Sequence, residues 1–179
     1  VLTGTGVLEI ELASAANNFT FAAGTGAAYA GVVDVKKGQY TLGAVSGADN
    51  ILKNGTLRLS GSGSTVLDAN HAIKGLEMNG GVLKVTTTGG VPDGLLTVTD
   101  LDTSGGGKVA IDVSGSSAPG GSNLFADSQA STMNQIVKAD NVATGGQLIL
   151  TDYAGNALGS NMIVALDQPA GTPIAEAYY

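Results

Sequence analysis

The chain contains no cysteine and no tryptophan, and only one histidine, four prolines and eight lysines and arginines. Without cysteine there can be no disulfide and no thiolate site for zinc or iron. A single histidine cannot supply a two-histidine metal centre. Any Ser-His-Asp arrangement would have to use His71, which lies in the turn-like stretch Asp68-Ala69-Asn70-His71. No G-x-S-x-G elbow accompanies it, and we read His71 as a solvated turn residue. The basic residues are scattered singly, apart from Lys36-Lys37, and the net charge is −7. No basic stripe exists to neutralise a phosphate backbone, so a nucleic-acid partner is not expected. No apolar run approaches about 18 residues, so no transmembrane helix is expected. Three Phe and five Tyr are too few for the aromatic girdles of a membrane barrel or for a sugar-stacking cleft.

What the chain has instead is glycine and aliphatic side chains. There are 28 glycines, yet 43% of residues are hydrophobic, enough to bury a core and to disfavour disorder. Short alternating runs recur, each led by glycine: Gly6-VLEIEL, Gly31-VVDV, Gly55-TLRL, Gly81-VLKV and Gly107-KVAIDV. Their starts are separated by 25, 24, 26 and 26 residues, a period that marks a repeat architecture. Secondary runs fall between them, as in Asn18-FTF, Gly38-QYTL, Thr65-VL and Gly94-LLTVTDL. Each period therefore holds two or three short strands separated by turns.

Side chains of a strand alternate between its two faces. In the first run Leu8, Ile10 and Leu12 share one face while Glu9 and Glu11 share the other. The inward set by this rule is Leu8, Ile10, Leu57, Leu59, Leu83, Val85, Val109 and Ile111. One 25-residue coil cannot bury its own aliphatics, but coils stacked about 4.8 Å apart bury them in rows and satisfy the backbone between layers. Asn54-Gly55, Asn79-Gly80 and Asp93-Gly94 supply corners. The expected fold is all-β: a right-handed parallel β-helix over residues 1–113, with the five glycine-led runs in register on successive coils. An antiparallel sandwich of hairpins is the alternative, since Asn-Gly also marks hairpin turns.

After Gly107 the period fails, and the next strong run, Gly146-QLILTD, starts 39 residues on. Residues 131–142 read as a short helix or a strand with flanking loops. Gln147–Asp152, Met162–Asp167 and the Ile174-AEAYY end read as hairpin strands. Residues 114–179 are therefore expected to form a hairpin-rich cap over the solenoid end. The opening at Val1 in mid-pattern suggests a piece of a longer polypeptide.

Candidate chemistry is sparse. Asp49, Asp93, Asp100, Asp102 and Asp112 form no EF-hand or RTX loop. Glu9 and Glu11 share an outward face, as paired carboxylates of a glycosidase would, but any acidic solenoid has such pairs. The glycine clusters at 24–26, 61–63 and 105–107 lack phosphate-loop spacing and read as turns. No catalytic, cofactor-binding or metal-binding residue is assigned, and no enzyme activity is expected.

The stretches GTGVLEIELASAANNFTFA, GVVDVKKGQYTL, NGTLRLSG, AIKGLEMNGGVLKV and DGLLTVTDLDTSGGGKVAIDV resemble autotransporter passengers of the pertactin/AIDA type, near their C-terminal autochaperone region. The resemblance covers residues 1–113, with the remainder in the place of the cap. It implies a Gram-negative surface protein exported through the periplasm and outer membrane. A β-barrel would follow in the same polypeptide and further passenger coils would precede. The segment would seed passenger folding and support display of an adhesin or effector. A host-ligand-binding module and a β-helix carbohydrate-active enzyme are the competing functions.

Overall fold

The computed structural model describes residues 1–22, 25–26, 28–42, 51–88, 91–112, 136–143, 145–157, 166–167 and 173–175. Every regular element among them is a strand. In chain order these are β1 (Thr3–Gly4), β2 (Val7–Glu11), β3 (Asn18–Phe19), β4 (Ala28–Tyr29), β5 (Val32–Thr41), β6 (Thr56–Leu67), β7 (His71–Asn79) and β8 (Val82–Val85). There follow β9 (Thr87–Thr88), β10 (Val91–Pro92), β11 (Leu96–Asp102), β12 (Gly107–Ile111), β13 (Val137–Ala143), β14 (Leu148–Asp152), β15 (Leu166–Asp167) and β16 (Pro173–Ala175). Twelve of the strands make one curled sheet, paired in parallel except where β16 meets β15. None of the five glycine-led runs is paired antiparallel, which removes the hairpin sandwich.

The strands stack in two ladders. The first runs β2, β5, β6, β7, β11, β13, and its register sets Leu8, Val33, Leu57, Leu76, Leu101 and Val142 one above another. The second runs β3, β5, β6, β8, β12, β14 and stacks Phe19, Tyr40, Thr65, Leu83, Val109 and Leu150. Strands β5 and β6 are long enough to serve both. A third row, Ile73, Val98 and Ala139, comes from the leading halves of β7, β11 and β13. Leu57, Leu59, Leu83, Val85, Val109 and Ile111 are buried, and Leu8 and Ile10 pack half-buried against them at the first rung. The inward set expected from alternation is thus correct.

The expected register is not. Runs starting at Gly6, Gly31 and Gly55 do stack, with Val32 N donating to Gly6 O and Thr56 N to Gly31 O. The Gly81 and Gly107 runs stack on each other, Lys108 N donating to Gly81 O, but in the second ladder. The residue above Leu57 is Leu76, not Leu83. The coil between is short, 19 residues from Thr56 to Gly75. Cross-strand charge favours the shift. Stacking Gly81 on Gly55 would set Lys84 against Arg58, whereas the observed register sets Glu77 there. Like charges directly opposite destabilise a sheet.

Two further expectations change. Gln147–Asp152 belongs chiefly to the stack, β14 lying parallel on β12 and β13 parallel on β11, and its only hairpin contact among the described residues is the antiparallel bridge of Thr151 to Ala157. Parallel stacking therefore continues beyond residue 113 to Asp152. Of the run expected at 162–167 only Leu166 and Asp167 are described, and of the terminal run only Ile174 and Ala175; these two pieces pair antiparallel, as hairpin strands do, and the rest, with Asp49, lies outside the described residues. The Asn79-Gly80 corner holds, with Gly80 at φ 88°, a left-handed conformation that costs glycine little.

Candidate functional site

The outward face of the first ladder carries the densest polar chemistry. Because β-strand side chains alternate, the residues beside the buried aliphatics form their own row: Glu9, Asp34, Arg58, Glu77 and Asp102. The row holds four acids and one base. Arg58 pairs through Nε with Glu77 and lies 3.8 Å from Asp34 through an Nη. The hydrogen bond that Arg58 donates to Glu77, and the charges of Glu77 and Asp34, raise its pKa against the lowering effect of burial. Asp34 is buried and accepts a 2.7 Å hydrogen bond from the Ser60 hydroxyl. Asn79 Nδ2 donates in turn to Ser60 Oγ at 3.3 Å. Glu9, at the head of the row, receives Lys36 Nζ at 2.5 Å.

Next to this row Lys74 Nζ lies 2.6 Å from Asp100 Oδ2, and Asn141 Nδ2 donates to Asp100 Oδ1 at 2.9 Å. Those bonds hold the Asp100 carboxyl below its usual pKa. Asp102 is lowered as well, by hydrogen bonds from Ser104 and, more weakly, by the Arg58 charge. An open groove of about 460 Å³ runs between these side chains, lined among others by Thr56, Gly75, Glu77, Asp100, Asp102 and Asn141. Gly75 packs directly against Thr56, and a Cβ at Gly75 would come within 2.6 Å of the Thr56 hydroxyl. Glu77, Asp100 and Asp102 share this wall, but no group of three His, Cys, Asp or Glu residues among those described is arranged to hold a metal ion.

The second notable feature is the end of the stack. Strand β2 pairs with β5 alone among the described residues, so its other edge presents unpaired backbone groups. The rows thin out there. Val33 and Leu57 are fully buried, but Leu8, Ile10, Phe19 and Phe21 are only partly covered, and Val7 is exposed. Phe19, Phe21 and Tyr40 meet with ring centroids 5.1–5.9 Å apart, a small, partly covered aromatic cluster at this end of the second ladder.

His71 is not a solvated turn residue. It opens β7 and is 6% exposed, in register with Leu96 and so part of the interior. Nε2 lies 3.4 Å from Asp68 Oδ1, and Nδ1 is buried with no hydrogen-bond partner. Its solitary place in a polar turn concealed this; the alternation of His71, Ile73 and Gly75 in β7 was the available signal. Glu9 and Glu11 do share the outward face, but Glu9 is tied to Lys36 rather than poised against its neighbour. Asp93 is held low in pKa by Thr88 and Thr86, near neither Asp100 nor Asp102 in the ladder. No protein-family model, curated protein or solved structure matches this chain.

Proposed function

We propose that the chain is a non-enzymatic structural segment of an autotransporter-type passenger, a right-handed parallel β-helix that seeds passenger folding and supports surface display. The observation that carries this reading is the unpaired edge of β2 beside half-covered row heads Leu8, Ile10 and Phe19. A finished solenoid end is normally blocked, because an open edge invites pairing. An edge left open over a formed core is a template for the next coil. The two ladders behind it give that template a rigid base. In this reading further coils of the same polypeptide dock on the β2 edge and an outer-membrane β-barrel lies at the other end.

A carbohydrate-active site is the weaker reading. A glycosidase needs one carboxyl kept protonated near neutral pH, whereas Asp100 and Asp102 are both pushed toward ionisation. The polar groove over Glu77 and Asp100 supports a host-ligand surface as the second reading, tested by binding of the 179-residue chain to host-cell extracts and glycans. The seeding function is tested in the full-length polypeptide. Deleting residues 1–179 while keeping the export machinery should leave the remaining passenger protease-sensitive at the cell surface, and the segment supplied as a separate chain should restore part of the resistance. A deleted passenger that resists protease as well as the intact one would refute the seeding role.

A further inference from the structure

We infer that the free edge of β2 selects its partner by charge: a parallel strand in which a lysine or arginine, flanked by aliphatic residues, comes opposite Glu9. The inference rests on the seeding reading and adds a recognition rule to it. The outward row, read from the free end, is Glu9, Asp34, Arg58, Glu77, Asp102. Two acids precede Arg58 and two follow it, and Arg58 contacts those on either side, Asp34 and Glu77. Glu9 and Asp34 form the same acid pair with no base from a further strand on their free side among the described residues. Lys37 stands opposite Glu11 and Arg58 reaches Asp34, while Lys36, reaching Glu9 from the bulge in β5, also lies within the field of Asp34 and Glu11. A base on the incoming strand would give Glu9 what Arg58 gives Glu77. Opposite charges directly across a sheet attract and like charges repel.

The aliphatic part of the rule follows from burial. Leu57 and Leu59 cover Val33 and Val35 in register, and both pairs are buried completely. A strand built the same way would cover Leu8 and Ile10. The run in residues 55–61 has this form, with Arg58 between Leu57 and Leu59. Two copies of the chain joined edge to edge are the disfavoured occupant, because that would bring the Glu9–Glu11 pair of each against the other.

The experiment titrates the 179-residue chain with a labelled peptide of the sequence of residues 55–61 and with its Arg58→Glu counterpart, at low salt, with amide exchange at Val7–Glu11 reporting the place of binding. The arginine peptide should bind about fivefold more tightly. A Glu9→Lys, Lys36→Glu double variant keeps the local ion pair with its sign exchanged and should reverse the preference; Glu9→Gln should abolish it. Equal affinity for both peptides, or a preference unaffected by the exchange, overturns the charge rule while leaving the edge as a template. Protection of β2 by neither peptide, or self-association through β2, overturns the rule and the template together.

Discussion

The Ser60 hydroxyl donates a 2.7 Å hydrogen bond to the carboxylate of Asp34 on the neighbouring strand, and both residues are buried. Asp34 has Arg58 as its other partner, at 3.8 Å. Ser60→Ala would leave a buried carboxylate oxygen short of a donor, at a cost of about 1–3 kcal/mol. Urea denaturation should show that loss, and it should shrink in an Asp34→Ala background. An equal loss in both backgrounds would mean that the pair is not coupled.

The aliphatic row through Leu57 makes a graded prediction. Leu57 is fully buried between Val33 and Leu76, whereas Leu8 heads the row half-covered. Leu57→Ala should cost about 2–5 kcal/mol through lost burial and the cavity left behind. Leu8→Ala should cost clearly less. Leu83→Asp, in the second ladder, should abolish the cooperative transition by burying an unpaired charge. Equal penalties at positions 8 and 57 would argue that the first rung is covered in solution.

Stability should be flat near neutrality and fall at both extremes of pH. Asp93, Asp100, Asp102 and Asp152 have folded pKa values below the ordinary 3.8, chiefly through hydrogen bonds from neighbouring side chains. Their contribution is present above that value and is lost as pH falls through the lower folded values. At the alkaline end, burial raises Tyr40 to about 12, and burial with the charges of Asp112, Asp93 and Asp68 raises Tyr153 to about 12. Their contribution is present below pH 10, the unfolded value, and is lost as pH rises from there to about 12. Denaturation midpoints across pH, with phenolate absorbance as the monitor, check both limbs. Tyr40→Phe should flatten the alkaline one.

His71 should be replaceable by an apolar side chain. Its Nδ1 has no partner and its Nε2 has only a long contact to Asp68, while it stacks in register with Leu96. A buried polar atom without a partner is costly, and an apolar group of similar size removes that cost. His71→Leu should hold or raise the melting temperature. A marked fall would reveal a hydrogen bond that His71 makes in solution.

Alternation made the inward residues legible, because period two is written directly into Leu8-Glu9-Ile10 and Leu57-Arg58-Leu59. The glycine period also revealed the stacking of the first three runs. It misled at the fourth, because glycine marks corners of every side alike and does not say which ladder follows. Charge was one available signal: Arg58 has Glu77, not Lys84, across from it. The hydrogen-bonded set of buried Asp34 and Ser60 with exposed Asn79 was not legible, since it joins residues from three strands whose register has to be known first.

Strands β5 and β6 run side by side from Val32 opposite Thr56 to Thr41 opposite Val66, whereas every other rung divides its two ladders between separate short strands. This gives the body a mechanical midpoint. A pull along the stacking axis would peel the end rungs one at a time, each held by a handful of hydrogen bonds. At β5–β6 the two ladders would have to part together, so force-extension traces of the chain should show their highest rupture there. A segment drawn through a narrow pore would meet its main resistance at that junction, and would re-form outward from it.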